Sequence, residues 1–198
     1  SSIGLEIQID ETAQRLVLHQ NSPADWAYII NASIDNWSIE FQGAKSDALN
    51  QSQRFNTYGM TGCLTFYKSA FYETEIIVKN VMCEDGLNIV SSNGSLSLVH
   101  IDKAYSDGVD LDFSNLTFEK ITVQGAGNDC LDVSGGVYVI ANATLTSCGD
   151  KGISVGEAST LKLSKLILRK AKIGVSSKDS SRVEILNGSF EKTAVCAE

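Results

Sequence analysis

From Asp85 onward the chain alternates apolar and polar residues in short runs, and related runs recur at a constant interval. They are "CEDGLNIV" from Cys83, "YSDGVDLD" from Tyr105, "GNDCLDVS" from Gly127, "GDKGISVG" from Gly149 and "KAKIGVSS" from Lys170. Asp85, Asp107, Asp129 and Lys151 follow one another at steps of 22 residues. A period of this size marks a solenoid, in which each unit buries its apolar face only by stacking on its neighbours. The unit is too short for two helices and carries no helical stripe, whereas its period-two alternation predicts strands. Leu87, Val109, Leu131, Ile153 and Val175, then Ile89, Leu111, Val133 and Val155, fall on one face and form the predicted core. The positions between them project outward in two columns. One holds Asn88, Asp110, Asp132, Ser154 and Ser176; the other holds Val90, Asp112, Ser134, Gly156 and Lys178.

Further strand-like runs at Leu96–Val99, Leu116–Phe118, Val137–Ile140, Thr160–Leu163 and Val183–Ile185 complete the units. The expected fold is all-β, a right-handed parallel β-helix with coils of about 22 residues over 62–198, its hand following the rule for parallel crossovers. Parallel strands stack roughly 4.8 Å apart, so Asp110 should lie beside Asp132 and Asp107 beside Asp129. Residues 1–61 are less regular. "RLVLHQ", "WAYIINASI" and "NWSIEF" read as strands, either of early irregular coils or of a cap over the open end.

Composition narrows the class. A chain of 198 residues with 43% hydrophobic residues, 16 glycines and one proline (Pro23) suits one elongated domain. A net charge of −8 and a pI near 4.8 argue against nucleic acid as a partner, because a basic patch supplies most of that affinity. No stretch approaches the roughly 18 apolar residues needed to span a bilayer, so membrane insertion is not expected. The chain opens at "SSIGLEI" without a Met, and we expect a piece of a longer multidomain chain, extracellular or at the cell surface, whose secretory segment has been removed. The five cysteines make an odd count without the spacing of a zinc or redox motif. Cys130 takes a repeat position otherwise held by Gly86, Gly108 and Gly152, which reads as a small residue filling a turn or core site; a Cys130–Cys148 bridge is the alternative.

The acids carry the candidate chemistry. Asp85, Asp107 and Asp129 each precede a Gly or Cys at a turn, where an aspartate either bonds local backbone or meets a ligand. Asp110, Asp112 and Asp132 sit on strands, where like charges on adjacent rungs raise a pKa or recruit a cation. Late lysines, among them Lys151, Lys170, Lys172 and Lys178, offset them or face an acidic polymer. His19 and His100 fall outside the repeating face.

Tyr105-Ser106-Asp107-Gly108, Gly127-Asn128-Asp129-Cys130 and Gly149-Asp150-Lys151-Gly152 together resemble the rungs of polygalacturonase-type glycoside hydrolases, which are pectate-lyase-like β-helices. That family carries Asn-Thr-Asp-Gly, Gly-Asp-Asp-Cys and Gly-His-Gly on successive rungs, then Arg-Ile-Lys. Here Asp107 and Asp129 keep their acids, Asn128 replaces one acid, Lys151 stands at the histidine, and Ala171-Lys172-Ile173 is what corresponds to the last motif. Residues 62–196 also resemble bacterial surface and secreted parallel-β-helix-repeat proteins.

With the strand-borne acids, the resemblance implies a protein acting on a polysaccharide as a hydrolase, lyase or epimerase. Asp107, Asp129, Asp132 and Lys151 are then the catalytic candidates, and Asp110, Asp112, Asn128, Asp150 and Lys178 the substrate contacts. Lys151 and Lys178 are expected to bind an acidic sugar while an aspartate moves the proton, since hydrolysis by paired carboxyls needs one protonated acid and one base. Two other classes stay open. A non-catalytic glycan-binding or adhesion module needs exposed aromatics, for which Tyr105 and Phe113 are the main candidates. A structural spacer would hold Ca²⁺ in its Asp columns through about six to eight oxygens.

Overall fold

The computed structural model describes residues 1–44 and 55–198, and strands fill most of that length. In chain order they are β1 (Leu5–Asp10), β2 (Arg15–Gln20), β3 (Ala27–Ile30), β4 (Ser33–Asp35), β5 (Ser38–Gln42), β6 (Gly62–Tyr67) and β7 (Ala70–Val81). Then come β8 (Asp85–Val90), β9 (Asn93–Ala104), β10 (Asp107–Ala126), β11 (Leu131–Cys148), β12 (Lys151–Gly156), β13 (Thr160–Ser177) and β14 (Arg182–Ala197). They wind into a β-solenoid of about 8 turns. Apart from the β1–β2 hairpin, every strand pairing among the described residues is parallel.

The alternation of the sequence sets the register. Val109 pairs with Leu131, Leu131 with Ile153 and Ile153 with Val175, so each core residue lands on its equivalent one coil on. Val109, Leu111, Leu131, Val133, Ile153 and Val155 are wholly buried. A second layer of Phe118, Ile121, Ile140, Leu145, Leu163 and Leu168 closes the interior from the other strands of each coil. A slip of one residue would turn every one of these side chains to solvent, which is why the period is kept.

The early chain belongs to the same stack. Arg15 pairs with Ser38, Ser38 with Glu75, Ala27 with Leu64 and Ser33 with Ala70, all in parallel. The step from Ala27 to Leu64 is 37 residues, because the connection between β5 and β6 is longer than elsewhere. Stacking therefore begins at β2, and β1 folds back antiparallel on it.

Two corner columns tie the coils together. The backbone N–H of Ser69 donates to Ser92 Oγ (3.0 Å), and that of Ser92 donates to Ser114 Oγ (2.9 Å). The next coil has Gly136 at this position, at φ 99°, where an added Cβ would run into the Ser114 carbonyl. The Tyr138 phenol fills the gap from two residues away. It accepts the Ser114 N–H at 3.2 Å and donates to the Gly135 carbonyl at 2.7 Å, and burial pushes its pKa up. The pattern resumes where the Ser159 N–H donates to Ser181 Oγ at 3.1 Å. Tyr138→Phe should leave these buried groups without partners and cost roughly 1–3 kcal/mol in denaturant melts. An unchanged midpoint would show that the ladder is dispensable.

In the second column Cys63, Gly86, Gly108, Cys130, Gly152, Gly174 and Cys196 follow one another coil by coil. The column is tight: a Cβ at Gly108 would lie 2.7 Å from the Cys130 carbonyl oxygen. Cys130 is not simply a small filler here, because it is bonded to Cys148, and Cys63 is bonded to Cys83. The Cα atoms of the two pairs are 5.3 and 5.4 Å apart, within ordinary disulfide reach. Cys196 is free and exposed.

Candidate functional site

One sheet of the solenoid gathers the candidate residues. It is built from β3, β6, β8, the starts of β10 and β11, β12 and the end of β13. Its first outward column runs Tyr28, Thr65, Asn88, Asp110, Asp132, Ser154 and Ser176, each in register with the next. The second runs Ile30, Tyr67, Val90, Asp112, Ser134 and Gly156. Thr65, Asn88 and Ser154 are buried although they point away from the core, so their neighbours wall them in.

Along the edge where these strands begin, the turn acids bond the following coil. Asp107 Oδ1 accepts the Asp129 N–H at 2.7 Å and the Asn128 side-chain amide at 2.8 Å. Asp129 Oδ1 in turn accepts the Lys151 N–H at 2.8 Å, and Asp129 is buried. The Lys151 ammonium reaches Asp150 at 2.6 Å and Asp129 at 3.5 Å. Burial works against the charge on Lys151, but the two carboxylates hold its pKa above the ordinary lysine value. The hydrogen bond from Lys151 correspondingly holds Asp150 low, with Lys172 adding a contact at 3.5 Å. Asp107 and Asp129 thus cap backbone, and Lys151 is a neutralised cation rather than a base.

The strand-borne acids are held differently. The Asn88 amide nitrogen donates to Asp110 Oδ2 at 3.1 Å and to Asp112 Oδ2 at 3.0 Å, bridging the two carboxyls. Burial, then the fields of Asp85, Asp112 and Asp132, push Asp110 well above the ordinary carboxyl range. Asp112 is raised by burial, against its bond from Asn88, and by Asp132 and Glu157. Asp132 is raised by burial and by Asp129, with Lys178, Ser154 and Lys151 pulling it back. Burial lifts Asp107 to about 6 and Asp85 to about 7. Asp85 Oδ2 is buried without a hydrogen-bond partner. Carboxyls packed this closely cannot all ionise, so the face retains protons into the neutral range and offers acid and base side by side.

Of the residues singled out in the sequence, Asp107, Asn128, Asp129, Asp150 and Lys151 line the strand-start edge, and Asp110, Asp112 and Asp132 stand on the sheet itself. Lys178 follows β13 and acts on Asp132 through its field. For the Ca²⁺ spacer, no group of three or more His, Cys, Asp or Glu among the described residues is arranged to hold a metal ion. No helix among the described residues is long and apolar enough to cross a membrane.

The sequence reading missed the aromatic end of this face. Tyr28 shares a column with Asp110, and Tyr67 shares one with Asp112. The Tyr28 ring lies 6.1 Å from that of Tyr58 and 6.2 Å from that of Tyr67, and Trp26 meets Tyr58 edge-on at 5.3 Å. Tyr58 is 65% exposed. The Lys68 ammonium lies 5.0 Å from the centre of the Tyr67 ring. The alternation in "GCLTFY", with Leu64 and Phe66 inward, carried the signal for Tyr67, but the 37-residue step hid its link to Tyr28. Tyr105 and Phe113, the aromatics expected on the face, are both exposed, and Phe113 packs over Gly135.

No protein-family model, no curated protein and no solved structure matches the chain.

Proposed function

We propose that this protein is a carbohydrate-active β-helix of the pectate-lyase-like kind, a hydrolase working on a polysaccharide laid along the face that bears Asp110, Asp112 and Asp132. The observation that carries the reading is the Asp110–Asn88–Asp112 bridge, with Asp132 one rung away. A carboxyl pair that shares a proton supplies the acid for the leaving oxygen, and a neighbouring carboxylate supplies the base or nucleophile for the other step. In this reading Asp107 and Asp129 shape the edge of the site rather than move the proton. A secreted or surface location fits the two disulfides, which persist in oxidising compartments.

A panel of soluble polysaccharides assayed for new reducing ends tests this. Turnover on one of them should fall about 100-fold or more in Asp110→Asn, Asp112→Asn and Asp132→Asn, with binding retained. Absence of turnover by the parent protein on every polymer would remove the hydrolase. The second reading, a non-catalytic glycan-binding or adhesion module, is favoured by the ring cluster of Trp26, Tyr28, Tyr58 and Tyr67.

A further inference from the structure

We infer that Trp26, Tyr28, Tyr58 and Tyr67 form a stacking subsite for a neutral pyranose unit, so that the glycan runs parallel to the solenoid axis from these rings towards Asp110, Asp112 and Asp132. The inference rests on the carbohydrate reading above and adds to it the position, direction and charge class of the ligand.

Position and direction follow from the register. Tyr28, Thr65, Asn88 and Asp110 occupy successive rungs of one outward column. Three strand spacings of about 4.8 Å each separate the Tyr28 rung from that of Asp110 by about 14 Å, the reach of a few sugar rings in an extended chain. The rings are not core: Tyr58 is 65% exposed, and Trp26, Tyr28 and Tyr67 are only partly covered. Their mutual angles, 79° between Trp26 and Tyr58 and near 45° between Tyr28 and Tyr58, leave the faces splayed rather than stacked on one another. Half-exposed aromatic side chains offer an apolar face with a polar rim. The C–H face of a pyranose covers the first while its hydroxyls reach the second.

Charge selects the class. The floor is lined by carboxyls that already repel one another, in a chain of net charge −8. The lysine at the strand-start edge is engaged, Lys151 by Asp150 and Asp129, and at the ring end Lys68 lies 5.0 Å from the centre of the Tyr67 ring, one cation against the several carboxyls of the floor. A uronate polymer would bring further negative charge to this face, whereas neutral hydroxyls donate to carboxylates and accept from protonated carboxyls. This reverses the expectation that Lys151 binds an acidic sugar.

The test is affinity electrophoresis and calorimetry of the parent protein with a soluble β-glucan, a galactomannan and polygalacturonate. A neutral polymer should bind in preference to polygalacturonate. Tyr28→Ala and Tyr58→Ala should each weaken that binding about tenfold. Tyr28→Phe keeps the ring and should keep binding, and Tyr72→Ala, an exposed ring on β7 off this face, should change nothing. Tyr58 guards against misfolding as the cause, since it lies in a connection rather than a strand. Binding that Tyr28→Ala and Tyr58→Ala leave untouched overturns the subsite, as does preference for polygalacturonate or failure to bind any of the three. Ring-dependent binding with no turnover on any polymer keeps the subsite and removes the hydrolase. Turnover that Asp110→Asn abolishes but ring removal leaves unaltered keeps the hydrolase and removes the subsite.

Discussion

The melting temperature should be highest near pH 4.5 and fall as the pH is raised to about 7. Burial raises Asp107 to about 6 and Asp85 to about 7 in the folded protein. Folding therefore favours their protonated forms. The stability they contribute is fully present below about pH 4, the ordinary aspartate value, and is lost as the pH rises through 6 and 7. Glu40 works in the opposite sense. Its hydrogen bond from Lys79 at 2.6 Å, with Arg15 at 3.1 Å, outweighs burial and holds its pKa at about 2. That contribution is present above pH 4.5 and is lost as the pH falls towards 2, which sets the acid limb of the curve. Asp85→Asn removes one of these penalties. At pH 8 it should stabilise by of the order of 3 kcal/mol, or roughly 5–10 °C in melting temperature, and do little at pH 4.5. A melting temperature that is flat or rises from pH 5 to 8 would show the acids to be compensated by another group, such as a bound cation.

Leu131→Ala should destabilise the protein by roughly 2–5 kcal/mol, the usual cost of a buried cavity. Leu131 is wholly buried and sits between Val109 and Ile153 in mid-stack, so both neighbouring coils lose contacts with it. Asp132→Asn, one residue on and facing outward, removes a repelling charge and should be neutral or stabilising at pH 8. Urea melts of the pair at that pH give the comparison directly. If Asp132→Asn proved the more damaging, the acid columns would be structural and the catalytic reading would lose its basis.

These two neighbours also show how much of the molecule could be read from the chain. Leu131 was assignable to the core because Val133 two residues on and its 22-residue equivalents Leu87, Val109, Ile153 and Val175 are all apolar, and stacking of equivalent strands makes that pattern self-consistent. Asp110 beside Asp132 followed from the same count. The roles of individual acids did not. The sequence set the turn acids Asp107 and Asp129 apart from the strand-borne Asp132 but left open whether the turn acids bond backbone or a ligand; they accept backbone N–H groups from the next coil, while Asp132 answers mainly to burial and to charged neighbours. That choice depends on which way a carboxylate rotates at a turn, which spacing does not encode. Tyr138 was equally hidden, since its phenol replaces a serine belonging to a different position in the repeat. The Tyr28–Asp110 column escaped because it crosses the long step between Ala27 and Leu64.

That broken step separates two properties that are usually linked in a repeat protein. The β5–β6 connection adds length between Ala27 and Leu64 without disturbing the pairing of the strands on either side, and it delivers Tyr58 onto Trp26 and Tyr28. The floor of the face is thus set by stacking, while Tyr58 on its rim lies in a turn outside the strands. A substitution at Tyr58 therefore changes the rim and leaves the register of the coils beneath it as it is.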